Sequence, residues 1–117
     1  MKKILFVLSL FILSITNLNA ETKRIDSGND NARITIIAYE SLTCSHCANF
    51  HKDIYPKLKK EYIDTGLAQI EFRHFPLDIA ALNASKIAQC KDDQGLEILE
   101  SLYLNQQAWV KGSTIED

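Results

Sequence analysis

A chain of 117 residues with 13 Lys and Arg against 15 Asp and Glu has a formal charge of −2 and lacks the basic stripe that a nucleic-acid partner requires. Its three cysteines are an odd set, two of them three residues apart, which argues against the even, dispersed disulfide framework of a small secreted domain. With 46% apolar residues there is material for one modest core.

Residues 1–20 differ in character from the rest of the chain. Lys2 and Lys3 precede an apolar run from Ile4 to Ile15, then polar Thr16 and Asn17, and Leu18-Asn19-Ala20 closes the segment. That layout predicts a secretory signal peptide cleaved before Glu21. A membrane span needs about 20 apolar residues, and this run is shorter. Cleavage leaves residues 21–117 as one domain in a periplasmic or otherwise extracytoplasmic compartment, where disulfides form. Loss of the two lysines moves the formal charge from −2 to −4. Lys57, Lys59 and Lys60 are the only basic cluster and read as a solvated helix face.

Glu21 to Asn31 is polar and reads as a turn or mobile lead-in. Arg33 to Glu40 is rich in β-branched and aromatic residues, nearly apolar from Ile36 to Tyr39, and predicts a central strand covered on both faces. From Ser45 to about Thr65 the period becomes helical, with Cys47, Phe50, Ile54, Leu58 and Tyr62 as its apolar stripe. Pro56 should kink or split this helix, and Gly66 fits its end. Ala68 to Phe75 alternates as a second strand, and Asp78 can open another helix after Pro76. Ile79, Leu82, Ile87 and Cys90 supply its apolar positions. After a break at Asp92 to Gly95, Leu96, Leu99, Leu102, Tyr103 and Gln106 repeat at helical spacing. Ser113-Thr114-Ile115-Glu116 fits a capping box that announces a further helix.

Strand, short turn, Cys-Ser-His-Cys and amphipathic helix is the order that carries chemistry. Cys44 falls at the first turn of the helix, where backbone amides lack intrahelical partners and favour an anion. Its thiol is therefore expected to have a depressed pKa and to be the attacking sulfur. Cys47, one turn further in on the core stripe, is placed to resolve a mixed disulfide. His46 between them can give the thiolate a hydrogen bond or a positive charge. Stabilising the thiolate stabilises the reduced form, which favours an oxidase or isomerase over a reductase.

The segment IIAYESLTCSHCANFHKDIYPKL, followed by IEFRHFPLD and an Ala-rich helix, resembles the DsbA-like thioredoxin family of exported disulfide-forming proteins. The likeness runs from about Arg33 to Trp109. It implies an α/β thioredoxin-like fold with a helical insertion beginning near Asp78, Cys44 as exposed nucleophile and Cys47 as its buried partner. It also implies thiols of exported proteins as substrates, a membrane redox partner and no cofactor. Two features depart from the family. Ser45 stands where members often have Pro, which leaves the oxidase strength open. Members return from the insertion to a cis-Pro loop, two strands and a helix, whereas the two prolines here are Pro56 and Pro76. The reading is therefore of a partial domain, a β-α-β unit with part of the insertion.

Two rivals use the same residues. Cys44, Cys47, His51 and Cys90 form a candidate Cys3His metal set, weakened by the absence of a second close ligand pair. A thioredoxin-fold chaperone-like module without redox cycling is the other. Cys90 is expected to be a buried, inert thiol. His51 is expected at the surface or behind the site, His74 as a hydrogen-bonded strand histidine, and Trp109 in the core of the insertion.

Overall fold

The computed structural model describes residues 23–90 and 95–111. The expected signal segment, part of the break after Cys90 and the expected capping box lie outside the described residues.

Strand β1 (Ile25–Gly28) runs antiparallel to β3 (Ala68–His74), and β2 (Ile34–Glu40) runs parallel to β3 on its other side. The sheet order is β1-β3-β2. Two expectations change here. The polar lead-in contains a strand, because Ile25 pairs with Phe72 and buries its side chain, while Gly28 allows close contact with the end of the helical crossover. The central strand is β3, and β2 lies at an edge with a single face covered. Ile36 and Ala38 pair with Ile70 and Phe72 on the inner face, whereas Ile37 and Tyr39 point outward and are 45% and 62% exposed. An apolar run shows that a strand can be buried on both faces; the elements packed against it decide whether it is.

A parallel pair needs a crossover, and it is the helical run after Cys44. Helix α1 (Ser45–Asn49) passes into a π-helical turn (Phe50–Ile54), then α2 (Tyr55–Leu58), then a second π-helical turn (Lys59–Ile63). Pro56 has no N–H to donate one turn back, and a wide turn directly precedes α2. The run is thus interrupted by widening rather than by a break. Each wide turn shifts the helical register, so the buried positions are His51, Tyr55 and Ile63, with Cys47, Phe50 and Leu58 partly covered. Ile54 and Tyr62, expected on the stripe, are exposed. Gly66, with φ of 77°, comes after the end of the run, and its N–H reaches the Ile63 carbonyl.

Helix α3 (Ile79–Gln89) is capped by the Asp78 carboxylate, which accepts the Ala81 N–H at 2.7 Å. It buries Ala81, Ala84, Ser85 and Ala88 rather than the expected Ile79, Leu82 and Ile87, so small residues set a close approach to its neighbours. Cys90 ends this helix exposed, not buried. Helix α4 (Gly95–Leu104) contributes Leu99 and Tyr103 to the core, and α5 (Gln106–Trp109) comes immediately after it. Trp109 packs partly buried against the core, with its indole N–H on the Leu102 carbonyl at 2.9 Å. Among the described residues no helix is long and apolar enough to cross a membrane.

Candidate active site

The turn between β2 and α1 is built from buried backbone. Ser41 and Leu42 are inside, and the Cys44 N–H closes the turn on the Ser41 carbonyl at 3.1 Å. Cys44 itself is extended (φ −76°, ψ 119°) and immediately precedes α1, where its carbonyl accepts the Ala48 N–H at 3.1 Å. Two tethers from distant parts of the chain hold this turn. The Thr43 hydroxyl donates to Asp78 Oδ2 at 2.5 Å and the Leu77 N–H reaches Ser41 Oγ at 3.3 Å. Gln106 Nε2 donates to the carbonyls of Leu42 (2.8 Å) and Cys44 (3.0 Å). The Thr43 hydroxyl and the Ala81 N–H hold the Asp78 carboxyl below its usual range.

Cys44 and Cys47 are free, partly buried thiols with opposite electrostatics. Burial pushes Cys44 up, but hydrogen bonds from the Cys47 amide, the Cys47 thiol and the His46 amide outweigh it, and its pKa is lowered. For Cys47 burial dominates, aided by the Cys44 sulfur and the Glu40 charge against a hydrogen bond from the Ser41 backbone, and its thiol is pushed up to about 11. One sulfur is thus prepared as a thiolate and the other as a thiol. The His46 side chain is exposed and stands at the rim of a cleft of about 450 Å³. That cleft is lined by Ile36, Ala38, Glu40, Cys47, Phe50 and Ile70 among others, so it is largely apolar with Cys47 and one carboxylate in its wall.

Beneath the motif lies a polar pair that settles the two expectations for His51 in favour of a place behind the site rather than at the surface. His51 is buried, its Nε2 donates to Glu40 Oε2 at 2.7 Å, and its ring stacks on Tyr103 with centroids 4.2 Å apart. Glu40 is also buried. Burial, reinforced by the Glu40 charge, holds the Tyr103 hydroxyl far above its ordinary pKa. His74 differs from expectation: its Nε2 is buried without a hydrogen-bond partner among the described residues, and burial lowers its pKa.

The structure brings Cys44, Cys47 and His46 together at the start of α1. It does not assemble the rival Cys3His set: His51 gives its Nε2 to Glu40, Cys90 lies exposed at the end of α3, and no metal-holding cluster occurs among the described residues. Sequence reading missed Glu40, Gln106 and the Thr43–Asp78 link. Glu40 had a signal, an acid closing an apolar strand four residues before Cys44. Gln106 had one as well, a polar residue continuing the Leu99–Tyr103 stripe.

Comparison with known proteins agrees with this geometry. The family model described as thioredoxin matches residues 19–117. A Rickettsia bellii protein provisionally named a protein-disulfide oxidoreductase is 38% identical over 81 residues, covering 68% of this chain and 31% of that protein. The crystal structure of alpha-DsbA1 from Wolbachia pipientis superposes with a TM-score of 0.72 at 34% identity, covering 86% of this chain and 51% of that one. Oxidised BdbD from Bacillus subtilis shares the fold with a TM-score of 0.65 at 24% identity, covering 79% of this chain and 52% of that one. The chain therefore spans about a third to a half of the length of these relatives.

Proposed function

Because the chain belongs to the thioredoxin family, in its DsbA-like branch, we propose that it is a thiol:disulfide oxidoreductase that forms disulfides in exported proteins through Cys44 and Cys47. The observation that carries this reading is the opposite displacement of the two thiols, Cys44 down and Cys47 up, within one helical turn.

In the oxidised enzyme a substrate thiolate attacks the Cys44 sulfur, forming a mixed disulfide and breaking the Cys44–Cys47 bond. Cys47 departs with the electron pair and takes a proton, as its high pKa demands. A second substrate thiolate then attacks its own partner sulfur in the mixed disulfide and expels Cys44 as a thiolate. A low-pKa thiol is the better leaving group, so the amides of His46 and Cys47 act at this step. The substrate dithiol loses two electrons and becomes a disulfide; the enzyme gains them as a dithiol. The side chain of His46 adds to thiolate stabilisation from the rim of the cleft. Reoxidation falls to a membrane redox partner, and the pattern of residues 1–20 supports action outside the cytoplasm after signal cleavage. No cofactor takes part.

The test is trapping. Reduced Cys47→Ser chain mixed with a disulfide-bonded peptide should accumulate a mixed disulfide at Cys44, located by mass spectrometry, while Cys44→Ser should accumulate none at Cys47. Adducts found equally on both cysteines, or mainly on Cys90, would overturn the assignment.

A further inference from the structure

We propose that Gln106 is a positioning residue for Cys44, its side-chain amide clamping the turn through the carbonyls of Leu42 and of Cys44 itself. The inference rests on Cys44 being the nucleophile, and it extends that reading to a residue 62 positions away in sequence.

Gln106 begins α5 and is only 8% exposed. Both of its acceptors are backbone carbonyls, so only the NH2 end of the amide can serve them, and both of its hydrogens are used. The pairing is specific to the motif. The Leu42 carbonyl lies two residues before the nucleophile, and the Cys44 carbonyl belongs to the nucleophile itself. That second carbonyl also accepts the first one-turn backbone hydrogen bond of the helix, from the Ala48 N–H. One oxygen thus receives the helix and the clamp together, which fixes the plane of the peptide leading into α1. The His46 and Cys47 amides, which lower the Cys44 pKa, follow that peptide directly in the first turn of α1.

Gln106 is itself held. Trp109 donates its indole N–H to the Leu102 carbonyl at 2.9 Å, tying together the segment that contains it. Tyr103, one turn earlier, is buried against the His51 ring. The Thr43–Asp78 hydrogen bond secures the turn from its other side but touches neither carbonyl. Besides the His46 side chain of the proposed function, the other groups that act on Cys44 are the Cys47 thiol, which favours the thiolate, and the Glu40 carboxylate, which opposes it. Gln106 carries no charge, so its effect on Cys44 runs through geometry alone.

The test uses the full chain, reduced, with Cys44 alkylation tracked against pH by mass spectrometry and folding checked by circular dichroism. Gln106→Met keeps the length of the side chain and removes both donors. It should raise the Cys44 midpoint by about half a unit or more, roughly a threefold loss of thiolate at fixed pH. The equilibrium with glutathione should move toward the disulfide form by a similar factor. Where Gln106→Met does not fold, Gln106→Leu, likewise uncharged and without donors, should show the same raised midpoint. A folded variant with an unchanged Cys44 midpoint overturns the inference while leaving Cys44 as nucleophile. Failure of both variants to fold also overturns it, by assigning Gln106 to the fold. An unmodified chain whose Cys44 titrates like an ordinary thiol overturns the oxidoreductase reading and this inference with it.

Discussion

Cys44 and Cys47 sit one helical turn apart, and what separates their chemistry is which polar groups each meets. Burial and, more weakly, the Glu40 charge raise both thiols; at Cys44 the Cys47 and His46 amides and the Cys47 thiol outweigh them, whereas at Cys47 the Cys44 sulfur adds to them. Glu40 opposes ionisation of both thiols, so Glu40→Gln should lower both midpoints, Cys47 from its starting value of about 11. A glutamine can still accept from His51 Nε2, which keeps the geometry while removing the charge. Cysteine-resolved alkylation reads this, and an unmoved Cys47 midpoint would show that burial and the Cys44 sulfur govern it without Glu40. The His46 amide lowers the Cys44 pKa, the proposed function adds its side chain, and His46→Ala separates the two because the backbone amide stays. Cys44 should remain below the ordinary thiol range, while the glutathione equilibrium shifts toward the disulfide by roughly tenfold, about 30 mV. No shift would confine the contribution of His46 to its amide. The placement of Cys44, Cys47 and His46 at the start of α1 was legible because it is local in sequence. Glu40, His51 and Gln106 were not, because each acquires its role from a contact 11 to 64 residues away.

Among the elements, those with strong periodicity were readable and those defined by pairing were not. β3 alternates Ile70 and Phe72 inward against Glu71 and Arg73 outward, and is found where that alternation places it. β1 has a single strong apolar residue, Ile25, and becomes a strand because its backbone completes the free side of β3. Of the helical stripe, Cys47, Phe50 and Leu58 were legible. The wide turns change the residue count per turn, so Ile54 and Tyr62 fall outside and His51 and Tyr55 fall inside. Gly28 is the point at which β1 depends on a particular residue. Its φ of +114° disfavours any side chain, and a Cβ there would lie 3.0 Å from Ala68 O, Gln69 Cα and Ile63 Cγ2. Two of those atoms are backbone and cannot swing away. Gly28→Ala should therefore cost about 2–4 kcal/mol in urea unfolding. A loss under about 0.5 kcal/mol, the range of a neutral surface change, would mean that β1 does not pack against β3 as described.

At the scale of the molecule, the active-site turn is held jointly by β2, the cap of α3 and the start of α5. Folding and redox state are thereby coupled, and the coupling has a sign that pH reveals. In the reduced chain the folded Cys44 pKa lies below its ordinary value of 9.0. Between those two values the unfolded chain binds more protons, so reduced-form stability rises with pH. Cys47 works in the opposite sense. Its folded pKa is about 11, so from 9.0 to about 11 the folded chain binds more protons and stability falls. The oxidised chain has neither thiol of the pair, and its stability curve lacks both limbs. The reduced-minus-oxidised difference should therefore climb from acid toward pH 9 and decline beyond it. Around a thermodynamic cycle that difference equals the difference in disulfide stability between the unfolded and folded chain. A folded state that prefers the dithiol makes its disulfide easier to reduce, which is what an oxidant of other thiols requires. Urea unfolding of both redox forms at several pH values between 5 and 10 measures it directly. An oxidised form that is the more stable throughout would make Cys44–Cys47 a stabilising crosslink, and the net direction of thiol exchange would then be reduction.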